Sequence, residues 1–225
     1  MSAPRFSDEM RRECSAAWDA VLAHPFVAGL GDGTLPPSAF RRYMVQDYLF
    51  LVEYARVLAL ATAKAADPGD MGRLAELLNA TLNTEMSLHR EFAGYVGIPS
   101  AEMDGAAMTP ACHAYTSHLL AVAWGEPLGV LAASLLPCQL GYAEIGTTLA
   151  RGGEPDVPEF AQWVQMYASE EYVGLARWLA GRADALAEQA GPNERGRMAA
   201  VYRESLRLEH GFWDMALGAE VDGGL

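Results

Sequence analysis

The sequence predicts an all-α fold, one helical bundle spanning residues 1–225 as a single domain. Three observations carry that prediction. Hydrophobic residues make up 51 % of the chain, with alanine and leucine dominant. Proline and glycine gather between long segments whose apolar residues recur three and four positions apart, the period of an amphipathic helix. No stretch of useful length alternates apolar and polar residues as a half-buried strand does. A length of 225 residues suits one domain with one large core, and neither a repeat nor a low-complexity linker divides it.

Ser7–Ala23 is predicted as the first helix, with Ser7 at its N-cap and His24-Pro25 ending it. The glycines and prolines from Gly29 to Pro37 read as a loop. Ser38 opens a long helix to about Ala66, which stops at Asp67-Pro68-Gly69. Asp70 caps a third helix running to Val96, closed by Gly97-Ile98-Pro99. After a loop through Met103-Asp104-Gly105, Thr109 caps a fourth helix with Pro110 in its first turn. Gly125-Glu126-Pro127 separates it from the fifth, whose apolar run Leu128 to Ile145 reads as buried and which ends at Arg151-Gly152-Gly153. Helical segments then fill Glu159 to Gln189, and a last helix runs from Glu194 to about Gly218.

The fifth helix carries the stretch on which the chain turns. Pro137 removes one backbone donor and crowds the carbonyl four residues back, which predicts a kink near Leu136. Cys138 follows the kink, and Tyr142 lies one turn further on the same face. Cys138 is either a small buried hydrophobe, as most free cysteines are, or a nucleophile aimed into the gap that the proline opens.

Composition removes several function classes. The formal net charge of −13 argues against nucleic acid and against an anionic membrane as partner. No apolar run reaches the roughly 18 residues of a spanning helix. The opening MSAPRFSDEMRREC has no hydrophobic region of a secretory signal. Cysteines 14, 112 and 138 leave one unpaired under any disulfide scheme, and none belongs to a CxxC pair, so the expected compartment is the reducing cytoplasm.

Acids on apolar faces are the next signal. Tyr43, Asp47, Phe50, Leu51 and Tyr54 share one face of the second helix, and Asp47 is the anomaly among them. Glu209 stands in the same way against Leu206, Phe212 and Trp213 on the last helix. Each acid reads alone as a surface residue or an internal partner. Tyr115 and Tyr167 add two phenols on other helices. Together they bring one cysteine, two acids and several aromatic rings from at least four helices. A metal site is the sharpest rival, because Glu85 and His89 are spaced i, i+4. Di-iron bundles supply a Glu-x-x-His motif twice, and no second one occurs here, so Glu85/His89 reads as a structural hydrogen-bonded pair. His113 and His118 read as surface or core-edge residues. Gly29-x-Gly-x-Gly follows no strand, so no phosphate loop and no cofactor is expected.

These residues resemble those of the TenA/thiaminase II family, the aminopyrimidine aminohydrolases of thiamin salvage. The carriers are Phe40-Arg-Arg-Tyr-Met-Val-Gln-Asp-Tyr48, Glu85-Met-Ser-Leu-His89, Tyr115-Thr-Ser-His118, Leu136-Pro-Cys-Gln-Leu-Gly-Tyr142-Ala-Glu144 and Leu208-Glu-His-Gly-Phe-Trp213. Five segments in family order cover nearly the whole chain. The resemblance implies a haem-oxygenase-like bundle without haem, assembled as a homotetramer. It places Cys138 on the nucleophile of the cysteine-bearing branch, and Asp47 and Glu209 on the acids that hold the pyrimidine. Tyr115, Tyr142 and Tyr167 fall on tyrosines lining the pocket, and Phe50 falls on a ring-stacking aromatic position. The implied reaction is hydrolysis of 4-amino-5-aminomethyl-2-methylpyrimidine, and of thiamin, to the 5-hydroxymethyl compound. Two alternatives stand beside it: a metal-dependent oxidase or oxygenase on the same bundle, and a non-catalytic pyrimidine-binding regulatory protein.

Overall fold

The computed structural model describes residues 4–95, 97–99, 103 and 105–218; Val96 and Asp104, which figure in the expected helix end and loop, lie outside them. The elements run α1 (Phe6–Glu13), α2 (Ser15–Leu22), α3 (Pro25–Asp32), α4 (Pro37–Lys64), α5 (Pro68–Ala80), a π-helical turn (Thr81–Glu85) and α6 (Met86–Tyr95). They continue with α7 (Pro110–Gly125), α8 (Leu128–Gly152), α9 (Pro158–Ala168), α10 (Glu170–Gln189) and α11 (Pro192–Leu217). No strand occurs among the described residues.

Most helix ends obey the local chemistry. Thr109 accepts the Cys112 N–H and Pro110 occupies the first turn of α7, as expected. Asp67 rather than Asp70 caps α5, because its carboxylate accepts the N–H groups of both Gly69 and Asp70. Arg5 rather than Ser7 is the N-cap of α1. Ser7 instead ties α1 to α10, its N–H and hydroxyl donating to the Asp184 carboxylate at 2.7 and 3.0 Å. The expected first helix is two, broken at Cys14. The expected Gly29–Pro37 loop begins four residues later, since Gly29 and Leu30 are buried in α3 and the chain turns only at Gly33, at φ +78°. The third helix is interrupted by the π turn, in which the Met86 N–H reaches back to the Thr81 carbonyl.

Helix α8 is the axis of the bundle and packs most extensively against α11, α10 and α9. It passes through Pro137 without a break in its helical backbone. By length and composition it is apolar enough to cross a membrane, contrary to the expectation from uninterrupted runs, but 83 % of the relevant window is buried inside the fold. A soluble core helix meets the same test, because burial on all sides removes any polar face. Gly146 lets α9 come close: a Cβ there would lie 2.7 Å from the Tyr167 carbonyl carbon. That approach sets Tyr167 against Tyr142, with ring centroids 4.6 Å apart. Between α4, α8, α9 and α11 the core is aromatic. Tyr43 lies nearly parallel to Trp213 at 5.5 Å, and its hydroxyl accepts from Trp163 Nε1 and donates to the Tyr142 hydroxyl.

Candidate active site

One small cavity gathers most of the residues singled out in the sequence. Asp47, Phe50 and Tyr54 line it from α4, Cys138, Gln139 and Tyr142 from α8, and Tyr167 and Tyr172 from α9 and α10. Glu85 enters from the end of the π turn. The free space is about 10 Å³, room for about one water. Tyr115 and Glu209 do not border it. They form a buried pair beside it, the Tyr115 hydroxyl donating to Glu209 Oε2 at 2.9 Å, while the Tyr115 ring packs on Phe50 at 5.0 Å. Phe50 in turn stacks on Tyr54, tilted by 20°.

Cys138 is a sealed thiol, 7 % exposed. Burial raises its pKa well above the ordinary value, and the charges of Glu209, Glu85 and Asp47 raise it further, Glu209 most among them. No cation helps it ionise within the cavity wall. The other cysteines are unlike it. Cys112 donates its S–H to the Gln46 carbonyl and burial pushes it up to about 12, while Cys14 lies half-buried at the break between α1 and α2.

Asp47 interacts with the Tyr43 hydroxyl, a tyrosine partner of the kind its position suggested, and also pairs with His89. The contact from His89 Nε2 to Asp47 Oδ2 is 2.6 Å, and both side chains are buried. His89 Nδ1 lies 2.8 Å from the Glu85 backbone carbonyl, which can only accept, so Nδ1 carries a proton. The short Nε2–Oδ2 contact therefore holds one further shared proton. Burial lowers the His89 pKa, but the bond to Asp47 and its charge outweigh burial and raise it. The expected Glu85/His89 pair thus exists through the backbone of Glu85, leaving its carboxyl to the cavity. Burial and the Asp47 charge raise that carboxyl to about 7. Burial likewise raises Glu209 to about 8, with Tyr115 pulling it partly back. The phenols of Tyr142 and Tyr167 are raised well above 10 by burial and stay protonated as donors.

Sequence reading missed Glu85, His89, Gln139 and Tyr172 as site residues, while Tyr54 was visible on the α4 stripe. The i, i+4 spacing of Glu85 and His89 was the available signal, and Gln139 adjoins Cys138. Gln139 Nε2 donates to the Tyr54 hydroxyl at 3.0 Å, while its Oε1 is buried without a partner among the described residues. Such an orphaned acceptor in a cavity wall suits a ligand donor.

The metal alternative has one set of ligands to consider among the described residues: His24, His210 and Asp214, outside the cavity. His24 Nδ1 accepts the Phe26 N–H as the cap of α3, so Nε2 carries the proton of the neutral ring and donates to Asp214 at 3.2 Å. Ligation through Nε2 would put the proton on Nδ1, against the Phe26 N–H. This cluster is a structural clasp between α3 and α11.

Comparison with known proteins bears on the family and the fold. Residues 11–219 match the model of the TENA/THI-4/PQQC family. An aminopyrimidine aminohydrolase from Halalkalibacterium halodurans is 40 % identical over 94 % of this chain and 95 % of its own. One from Bacillus subtilis is 33 % identical over 96 % and 91 %. Among solved structures, a protein from Silicibacter sp. TM1040 described as a TenA family transcription regulator superposes with a TM-score of 0.88 at 31 % identity, covering 95 % of this chain and 96 % of that one. A haem-oxygenase-like domain of unknown function from Shewanella denitrificans, 12 % identical over 93 % and 91 %, gives a TM-score of 0.66 and shares the fold. With the fold, the family model and relatives along nearly the full length in agreement, the chain belongs to the TENA/THI-4/PQQC family.

Proposed function

We propose that this protein is an aminopyrimidine aminohydrolase of thiamin salvage, a cysteine-nucleophile hydrolase. Its substrate in this reading is 4-amino-5-aminomethyl-2-methylpyrimidine, and its product the 5-hydroxymethyl compound and ammonia. The observation that carries the reading is Cys138 sealed in one cavity with the Asp47 carboxyl, Phe50 and the phenols of Tyr142 and Tyr167. The names of the relatives support the substrate class.

The residue types meet the needs of the reaction. The pyrimidine is electron-poor, and a Cys138 sulfur–carbon bond to it moves ring electrons onto a ring nitrogen. The dearomatised ring then expels the amine, which leaves with the carbon–nitrogen pair and a proton from Glu209. Water adds to the exocyclic carbon and returns a proton to Glu209. The sulfur–carbon bond breaks, restoring the aromatic ring and the thiol. Asp47, its Oδ2 held by His89, accepts from the ring's amino edge, and Phe50 and the tyrosines take the ring faces. A cavity of about 10 Å³ is several times too small for the ring, so binding requires the helices around it to part. Family resemblance also supports a cytoplasmic homotetramer, and the charge of −13 speaks against a nucleic-acid partner.

The test is hydrolysis of the aminomethyl compound and of thiamin under one set of conditions. The aminomethyl compound should have the higher kcat/KM, because both share the pyrimidine while the buried carboxyl suits an amine that must be protonated. A kcat/KM for thiamin equal or higher would show the leaving-group argument to be wrong, and hydrolysis of neither would remove the reading altogether.

A further inference from the structure

Glu85 borders the cavity with Cys138 yet has no assigned task. It sits where the π turn ends, a helical irregularity often found at functional sites. Its backbone already serves His89, and its carboxyl is 6 % exposed with no cation paired to it among the described residues. The groups facing it are Asp47 and Tyr54 from α4, Thr81 from the π turn, His89 from α6, Cys138 from α8, and the phenols of Tyr167 and Tyr172 from α9 and α10. His89 is engaged by Asp47. Hydrogen bonding from Thr81 and Tyr167 and the nearby His89 compensate the burial of Glu85 only in part, and a buried carboxyl left raised to about 7 needs a reason.

Cys138 supplies one. Its thiol must lose a proton before sulfur can attack, and the cavity wall offers no imidazole, amine or guanidinium to take it or to stabilise the thiolate. Phe50, stacked on Tyr54 and packed against the tilted ring of Tyr115, has no hydroxyl to do so. Glu209, raised to about 8, still holds its proton when Glu85 has lost one, and that proton is assigned to the leaving amine. We propose that Glu85 is the general base for Cys138: its carboxylate takes the thiol proton as the sulfur–carbon bond forms, and returns it when that bond breaks. No oxidant or further reactant enters, and the proton on Glu85 balances the one lost by sulfur. This assignment rests on the aminohydrolase reading and adds to it the group that activates the nucleophile.

The contrary role makes the opposite prediction. If Glu85 were only a negative charge near the thiol, it would hold Cys138 protonated, and Glu85→Gln would speed attack. As the base, its loss slows attack. The experiment measures leaving-group release in the first turnover, with enzyme in excess, for the aminomethyl compound and for thiamin. Thiol activation is common to both, so Glu85→Gln should slow both by a similar factor, on the order of 10²–10⁴-fold. The wild-type rate should also rise with pH through about 7, and that limb should vanish in the variant. Glu85→Asp, which keeps a base one methylene further back, should recover part of the loss and serves as the second variant if the glutamine protein does not fold. Unchanged or faster release overturns the proposal, and so does a loss confined to the amine substrate, which would make Glu85 a leaving-group acid. A wild-type protein that hydrolyses neither compound overturns the functional reading and this proposal with it, whereas an active wild type with an equally active Glu85→Gln overturns this proposal alone.

Discussion

Glu209→Gln should raise the stability of the protein while lowering its activity, and the gain should grow with pH. Glu209 is 2 % exposed, and its folded pKa is about 8 against an ordinary 4.5. Below pH 4.5 the folded and unfolded chains both hold the proton, and the group is neutral in the balance. Between 4.5 and 8 the unfolded chain releases it while the folded chain keeps it, so stability falls as pH rises. At 1.36 kcal/mol per unit, the gap amounts to about 5 kcal/mol, complete only above pH 8. Glutamine keeps the shape and still accepts from the Tyr115 hydroxyl, but it has no proton to lose. The advantage of the variant over wild type should therefore widen by a few kcal/mol from pH 5 to pH 8.5, which for a chain of this size is a gap in Tm that widens by roughly 10 °C. Urea unfolding followed by circular dichroism across that range measures it. In the same variant, loss of the acid should cost about 2–4 kcal/mol in kcat/KM toward the amine substrate. A stability difference that stays constant from pH 5 to 8.5 would show that Glu209 titrates alike in the folded and unfolded chains, and the argument from burial would fall.

Cys138→Ser should abolish turnover with the fold intact, since a serine hydroxyl is far harder to ionise than a thiol; Cys14→Ser and Cys112→Ser should remain active, and an active Cys138→Ser protein would reject the covalent route. Gly146→Ala should cost about 1–3 kcal/mol of stability and raise KM, because its Cβ would drive against the Tyr167 backbone at 2.7 Å and push that ring from the cavity; wild-type Tm and KM would show that α8 and α9 separate freely. Light scattering at micromolar concentration should give about four times the 24.2 kDa mass of one chain, and the monomer mass would remove the tetramer.

The sequence made visible what depends on local spacing. Asp47, Phe50 and Tyr54 announce their shared face through i, i+3 and i+4 periodicity, and Cys138 and Tyr142 through a single turn. Thr109-Pro110 marked the start of α7 because a cap is a two- or three-residue event. What it hid is non-local. His89 and Glu85 are four residues apart, so their pairing was legible, yet which atoms meet depends on Asp47, 42 residues away. The π turn has no composition signal. Gly29 looked like loop because glycine favours loops, whereas here it lies buried in α3 and Gly33 makes the turn.

The site is organised by protons more than by charges. Four groups that could be anionic, Asp47, Glu85, Glu209 and the Cys138 thiol, are packed where no free cation among the described residues offsets them, a collection that could not all ionise. The structure avoids this in three ways. Asp47 shares a proton with His89, so that pair is neutral as a unit. Glu209 keeps its proton to about 8, and the thiol keeps its own further still. Glu85, raised only to about 7, is the first of the unpaired groups to ionise as pH rises. Between about 7 and 8 the cavity wall therefore offers one carboxylate able to take a proton, Glu85, while Glu209 in the buried pair beside it keeps one to give, the pairing that attack by sulfur and departure of an amine require together. The kcat/KM of the amine substrate should accordingly follow a bell, rising through about 7 and falling through about 8. For thiamin, whose thiazolium leaves without a proton, the rise should persist and the fall should disappear. Profiles of the same shape for both substrates would mean that the acid limb and the base limb do not belong to Glu209 and Glu85.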